Sequence, residues 1–304
     1  MSAILETSSL DEPDHDIKRP RPLVLLLLDG WGIAPSGEGN AISLANTPTI
    51  TGLIKEYPVA TLDASIGDWN KRYLSLGSGV SPVGEDMGPL VSLAGTLSQA
   101  GLRQIKITDA DRFAALTYFF NGLNEGKNLG EDWQIISTTN GREDKATADF
   151  KAVLKVGLKA VKEDNPADFI VISFSYLDTV VSAAANHIDV VIKAVEAIDK
   201  GIRLIINSTI NQGGVVIISA AGGNAEQMIN LRTEENDSSL TNNSVPLILV
   251  GEDYKGLSVS GQDAPNQDLS ILKPVGTLAD IAPTILDLLG IEKPSQMTGH
   301  NLLG

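Results

Sequence analysis

The feature that most constrains the fold of this chain is a set of four short, almost wholly apolar segments. They are Leu23–Leu28, Phe169–Ser173, Val215–Ser219 and Pro246–Val250. Short segments without polar alternation are typical of strands that are buried on both faces of a sheet. We therefore expect these segments to form the interior of a sheet.

Amphipathic helical patterns separate the apolar segments. One follows Thr147, which we interpret as a helix cap, and another runs through residues 188–198 with apolar side chains three or four positions apart. Thr47-Pro48 is typical of a helix start, and Gly290 is typical of a helix end after residues 278–289. Strands that alternate with helices predict an α/β fold with a mainly parallel central sheet covered by helices on both faces.

Three strand exits are candidate positions for functional residues, because ligands bind beyond the carboxyl ends of strands in such folds. Asp29-Gly30-Trp31-Gly32 follows the first segment, Asp178 comes shortly after the second, and residues 220–224 follow the third. A carboxylate after a buried strand suits a hard metal ion. A single aspartate is more often a turn or cap residue, so both interpretations stay open at this point.

The amino-acid composition excludes several kinds of site and partner. It has 38 Asp and Glu against 23 Lys and Arg, a net charge of −15, three His and no Cys. The absence of cysteine excludes disulfides, thiolate metal sites and a cysteine nucleophile. The acidic balance argues against nucleic acid and anionic membranes as partners.

No apolar run approaches the roughly 20 residues of a membrane span. The first 19 residues are acidic and lack a continuous apolar stretch, so we predict neither a signal nor a transit peptide and expect a cytoplasmic protein.

Several motifs resemble one family of enzymes. The segments are LVLLLLDGWG, EGNAISLANTPTITGL, YFFNG, IKAVEAID, GGNAEQM, LADIAPTILDLLG and MTGHNLL. Together they resemble cofactor-independent phosphoglycerate mutase, a member of the alkaline phosphatase superfamily. The resemblance implies a three-layer phosphatase-like fold, a phosphoserine intermediate and two metal ions, usually manganese. It also implies a second, substrate-gripping domain inserted into the first.

The chain departs from this family first in its domains. Barely a dozen residues, near 77–89, join the segments between which the family carries its inserted domain. We therefore expect an acidic N-terminal tail over residues 1–20 and one phosphatase-like domain over residues 21–304.

The second departure concerns the metal ligands that the resemblance implies. The family's aspartates match Asp29 and Asp178, but its other ligand positions carry different residues. Those positions are Ala221, Gly222, Ser182 (or Ala184 in the alternative alignment), Asp237 and Leu240. A dinuclear site needs about four ligands per metal, so we expect no metal cofactor, or Mn or Mg if there is one.

The nucleophile that the resemblance implies is also missing. The serine of the family falls near Trp69, and Ser65 and Ser75 lack the family's neighbouring residues. We expect Trp69 to fill the former substrate cavity. Arg112 matches the family's lysine that reaches towards the phosphoryl group, and it is the one candidate for binding a substrate.

None of the three histidines stands at a ligand position of the family. His15 lies in the tail, His187 near a predicted helix start and His300 in the terminal segment. Asp237 is a candidate replacement ligand that could join Asp29 and Asp178 around Mg²⁺ or Ca²⁺.

Three functions follow as hypotheses. The first, which we favour, is a catalytically inactive homologue that acts as a protein-binding or structural subunit, with a protein partner or a second copy of itself. The second is a metal-dependent phosphomutase or phosphatase with a rebuilt site. The third is a non-catalytic sensor that binds a phosphorylated metabolite through Arg112.

Overall fold

The computed structural model describes residues 19–81, 89–137, 144–184, 187–230, 232–259 and 264–303. His15, most of the predicted tail and residues 82–88 of the predicted junction lie outside the described residues.

One eight-stranded sheet organises the fold. Its strands are β1 (Leu23–Leu28), β2 (Val59–Asp63), β3 (Gln104–Asp109), β4 (Glu131–Ile136), β5 (Phe169–Phe174), β6 (Val215–Ser219), β7 (Val245–Val250) and β8 (Gly276–Thr277). They lie in the order β4-β3-β5-β1-β6-β7-β2-β8. The four predicted strands are β1, β5, β6 and β7, and their residues are buried throughout, as the apolar segments predicted.

Register brings the strand exits together. β1 pairs in parallel with β5 on one side and β6 on the other, with Leu25 opposite both Val171 and Ile217. β3 lies on the far side of β5, also parallel. The segments that follow β1, β3, β5 and β6 therefore leave the sheet at the same edge. β7 is antiparallel to both of its neighbours, which the sequence alone did not indicate.

The helices form two packed groups that cover the sheet. They are α1 (Ala41–Leu44), α2 (Pro48–Glu56), α3 (Trp69–Ser78), α4 (Leu93–Gln99), α5 (Lys145–Val161), α6 (Tyr176–Ala183), α7 (Ile188–Ile210) and α8 (Ile281–Leu288). α1, α2, α5 and α6 pack with α7, whereas α3, α4 and α8 pack with one another. The predicted α/β architecture is confirmed. No helix among the described residues is long and apolar enough to cross a membrane.

Short helical turns complete the connections. The 3₁₀ turns are Ala110–Arg112, Glu252–Tyr254, Pro265–Gln267, Leu269–Ile271 and Leu278–Asp280, and a π-helical turn spans Ala115–Phe119.

The interpretation of Thr147 as a helix cap was wrong. α5 begins two residues earlier, and the carboxylate of Asp144 caps it by accepting a hydrogen bond from the Thr147 N–H at 2.9 Å. Asp144 precedes any apolar residue of the helix, so the apolar pattern alone placed the start too late. The predicted helix starts at Pro48 and next to His187 are confirmed.

A buried ion pair lies next to the open edge of the sheet. Lys106 of β3 and Glu131 of β4 are 3.0 Å apart, and both side chains are fully buried. Glu131 also accepts hydrogen bonds from the Trp133 indole, from the backbone and side chain of Asn128, and from Asn121. Burial lowers the pKa of Lys106 to about 8.

Candidate functional site

Arg112 joins two aspartates at the shared edge of the sheet. Its Nε donates to Asp29 Oδ2 at 2.6 Å, and its Nη2 donates to Asp178 Oδ2 at 2.5 Å. Asp29 follows β1, Asp178 lies in the first turn of α6 after β5, and Arg112 ends the 3₁₀ turn after β3. All three residues reach the same point because β1, β5 and β3 are parallel neighbours.

Gly30 brings the first two of these loops into contact. The Asp178 N–H donates to the Asp29 carbonyl at 3.2 Å. Gly30 has φ +100°, and a Cβ at this position would lie 2.8 Å from the Asp178 nitrogen. Glycine is therefore needed here both for the backbone conformation and for the close approach of the two strand exits.

Every oxygen of the two carboxylates accepts a hydrogen bond. The hydroxyl of Tyr73 donates to Asp29 Oδ2 at 2.8 Å, and the N–H of Ala221 donates to Asp29 Oδ1 at 3.2 Å. The amide of Asn224 donates to Asp178 Oδ1 at 2.7 Å. With Arg112, these donors give each of the four carboxylate oxygens at least one hydrogen-bond partner.

Trp69 covers the guanidinium of Arg112. Its ring lies 4.4 Å from the Arg112 Cζ atom, a stacked cation–π arrangement. The side chain is held there because Trp69 is the first residue of α3, whose N-terminus is capped by Asp68. Trp69 thus lies over the guanidinium that bridges the two aspartates.

The electrostatics of the cluster reflect its burial. Burial raises the pKa of Asp29, and the charge of Arg112 opposes that rise. For Arg112, burial would lower the pKa, but the charges of Asp29 and Asp178 outweigh it and hold the pKa above its ordinary value. The guanidinium is therefore charged at all accessible pH values and supplies the positive charge that balances the aspartates.

A second arginine fills the space beside Gly222. Arg72 of α3 is fully buried, and it donates from Nε to the Ile66 carbonyl at 3.2 Å and from Nη2 to the Thr241 carbonyl at 2.8 Å. A Cβ at Gly222 would lie 2.2 Å from Arg72 Nη1 and 2.7 Å from Leu240 Cδ1. Position 222 therefore has no room for a side chain while Arg72 holds this conformation.

The comparisons with known proteins agree with this architecture. A family model described as the metalloenzyme superfamily matches residues 21–293. The chain belongs to the metalloenzyme superfamily. It is 35% identical to 2,3-bisphosphoglycerate-independent phosphoglycerate mutase of Chloroflexus aurantiacus over 69% of this chain and 37% of that protein. It is also 35% identical to the enzyme of the same name from Clostridioides difficile, over 70% of this chain and 40% of that protein.

The match therefore spans about two fifths of the length of these curated relatives. The resemblance to phosphoglycerate mutase seen in the sequence motifs is confirmed.

Solved structures of other proteins share the fold of this chain. A phosphoglycerate mutase of Leishmania mexicana, solved at low cobalt concentration, superposes with a TM-score of 0.75 at 13% identity and covers 95% of this chain and 98% of that one. Alkaline phosphatase of the Antarctic bacterium TAB5 superposes with a TM-score of 0.63 at 13% identity, covering 90% and 99%. At such identities the likeness shows the fold alone.

Of the metal-ligand positions that the resemblance implies, Asp29 and Asp178 keep the family's aspartates. No group of three or more His, Cys, Asp or Glu residues is arranged to hold a metal ion within the described part of the chain. The oxygens of Asp29 and Asp178 are engaged by nitrogen and hydroxyl donors, and the Arg112 guanidinium lies between the two carboxylates. A cation is therefore already present where these ligands would hold a metal.

The other sequence candidates are dispersed. Asp237 does not join Asp29 and Asp178, since its carboxylate accepts from the Ser239 N–H at 2.8 Å in an exposed loop. Ser182 is exposed near the end of α6, and Ser65 is exposed and bonded to Asp63. His187 is the N-cap residue of α7, and the side chain of His300 is exposed.

Two residues in and beside the site, Tyr73 and Arg72, were not identified from the sequence. Asn224 belongs to the strand exit at residues 220–224, which the sequence did mark as a candidate position. Tyr73 and Arg72 lie on a helix from a distant part of the chain, and no local pattern marks them.

Proposed function

We propose that this chain is a non-catalytic member of the metalloenzyme superfamily that acts as a protein-binding or structural subunit. The observation that carries the proposal is the bridge from Arg112 to Asp29 and Asp178, at 2.6 and 2.5 Å. A fixed guanidinium balances the aspartate charges, but it has no exchangeable coordination position and cannot activate water or a phosphoryl group as a metal does.

The surroundings of the bridge support the same proposal. Trp69 stacks on the guanidinium, so an aromatic ring lies where the resemblance placed a serine nucleophile. A ring carbon cannot form the phosphoenzyme of the mutase reaction. The match to only about two fifths of the relatives' length fits our proposal that residues 21–304 form one phosphatase-like domain, joined near 77–89 without the inserted domain.

The two alternative functions have less support. A rebuilt metal site needs a third ligand such as Asp237, which does not join the aspartates. A phosphate sensor needs free donors on Arg112, but its Nε and Nη2 are engaged by carboxylates and the guanidinium is covered by Trp69.

Parallel activity assays test the proposed function. The purified chain, the Asp29→Ala variant and the Clostridioides difficile relative are assayed for interconversion of 3- and 2-phosphoglycerate and for hydrolysis of nitrophenyl phosphate, with added Mn²⁺, Mg²⁺ or Co²⁺. We expect turnover from the relative only, with the wild-type chain and Asp29→Ala indistinguishable from buffer. Metal-dependent turnover by the wild-type chain that disappears in Asp29→Ala would overturn the proposal.

A further inference from the structure

The solvent-facing side of α5 is uniformly basic. Every exposed position within this helix is a lysine, namely Lys145, Lys151, Lys155 and Lys159, and exposed Lys162 follows directly as the C-cap. Lys151, Lys155, Lys159 and Lys162 are four, four and three residues apart and so share one helix face. At 1.5 Å per residue, the row is about 16 Å long. We call these four residues the lysine row.

The neighbouring helix extends the positive surface. α7 packs directly against α5, where Gly201 and Gly157 allow close approach. Its exposed positions include Lys193, Lys200 and Arg203. A chain of net charge −15 thus carries exposed basic side chains on both of these packed helices.

The lysine row has few local counter-charges. Within the described ranges, no ion pair joins Lys155, Lys159 or Lys162 to a carboxylate. Glu163 and Asp164 are exposed in the turn after the row, Asp149 precedes the row by two residues, and the charge of Lys151 contributes to lowering the pKa of Asp144. Lys155, Lys159 and Lys162 are therefore available to carboxylates from another segment.

The N-terminal part of the chain enters the fold beside this face. Arg21 Nε lies 3.0 Å from Asp168 Oδ1, in the connection between α5 and β5. The Gln212 amide, in the turn at the end of α7, donates to the Val161 carbonyl at the end of α5 at 2.5 Å. Arg19 and Pro20 border the same turn, near Gly213. The entry point of the chain and the Lys159–Lys162 end of the row therefore lie close together.

We propose that the acidic N-terminal segment, residues 1–18, binds the lysine row of its own chain. Residues 6–16 contain five acidic side chains and no Lys or Arg, which complements the row. The acidic residues precede Arg19 by three to thirteen positions, a reach of up to about 45 Å, so the segment can follow the whole row. Tethering beside the row gives the segment a high effective concentration there, on the order of millimolar.

The charge distribution favours this occupant over nucleic acid or a second copy. A long polyanion would extend beyond the basic face onto a surface that carries the remaining acidic excess, where it is repelled. A second copy would have to present carboxylates across a contact between two chains of net charge −15 each. The inference goes beyond the proposed function and holds whether or not the chain catalyses a reaction.

Zero-length carbodiimide crosslinking of the full chain tests the proposal. The reagent joins a carboxylate only to an amine in direct contact, and a mixture of ¹⁵N-labelled and unlabelled protein separates links within a chain from links between chains. We expect links from the acidic residues of segment 6–16 to the lysine row, within one chain. Their yield should fall about fivefold or more when the salt is raised to about 0.5 M, because exposed charges are then screened.

Matched variants test whether the acidic segment binds these lysines in preference to other exposed lysines. Replacing Lys151, Lys155, Lys159 and Lys162 with serine should remove the links, whereas Lys55→Ser with Lys273→Ser, also exposed, should leave them unchanged. Exposed substitutions of this kind preserve the fold, which circular dichroism checks. The proposal is overturned if the segment links equally to Lys55 and Lys273, if its links run between chains, or if the row links only to carboxylates of residues 19–303.

Discussion

Replacing Arg112 with alanine is expected to lower the free energy of unfolding by about 3 to 5 kcal/mol. The loss arises because Asp29, whose side chain is fully buried, would keep a carboxylate without its balancing charge. Trp69 would also lose the cation on which it stacks. Urea unfolding of the variant and the wild-type chain at neutral pH measures the difference.

The pH dependence of that loss identifies its cause. Without Arg112, the pKa of Asp29 loses the largest influence that opposes the effect of burial and rises further, so the folded variant binds a proton that the unfolded chain releases. A group with a raised folded-state pKa lowers stability as pH rises, so the variant should lose stability between about pH 4 and 8 more steeply than the wild type.

The control is Arg21→Ala, which removes an exposed arginine–aspartate pair and should cost less than about 1 kcal/mol. Equal losses in Arg112→Ala and Arg21→Ala, with no difference in pH slope, would contradict this account of the cluster.

The second large effect is expected at the sheet edge, where Glu131→Ala should also cost about 3 to 5 kcal/mol at neutral pH. The substitution leaves the Lys106 ammonium buried without its carboxylate and removes the acceptor of the Asn128 and Trp133 donors. Asp132→Ala, one position along the same strand, breaks the exposed pair with Lys127 and should cost less than about 1 kcal/mol. Chemical denaturation of the two variants provides the comparison.

The loss in Glu131→Ala should shrink as pH rises. Burial lowers the pKa of Lys106 to about 8 in the intact protein, and removing Glu131 lowers it further. A lysine with a lowered folded-state pKa binds fewer protons when folded, so stability rises with pH up to about 10.5, the pKa of the unfolded chain. The variant should therefore recover more stability than the wild type between about pH 7 and 9.5, and a pH-independent loss would rule out the ion pair as its source.

Much of the fold was predictable because its strands are buried on both faces. The apolar segments of β1, β5, β6 and β7 carry their own signal, independent of distant residues. Strand direction has no such local signal, which is why antiparallel β7 was not predicted. The start of a helix depends on a single capping residue, and in α5 that residue is Asp144 instead of Thr147.

The candidate site was predictable as a set of positions but not as a set of contacts. The strand exits predicted Asp29 and Asp178, and the resemblance added Trp69 and Arg112. That Arg112 bridges both aspartates depends on contacts between residues 83 and 66 positions apart, which no motif encodes. The buried position of Arg72 was equally unpredictable, since arginine is seldom fully buried.

The central claim is that a guanidinium stands in place of the metal ions. Calorimetric titration with Mn²⁺ of the metal-free wild-type chain and of the Arg112→Ala variant, measured in parallel, tests this claim. We expect no saturable binding to the wild-type chain at the candidate site. The Arg112→Ala variant should gain a weak site that Asp29→Asn or Asp178→Asn removes, because two carboxylates then face a space without a cation. Stoichiometric Mn²⁺ binding by the wild-type chain that is lost in Asp29→Asn would contradict the account.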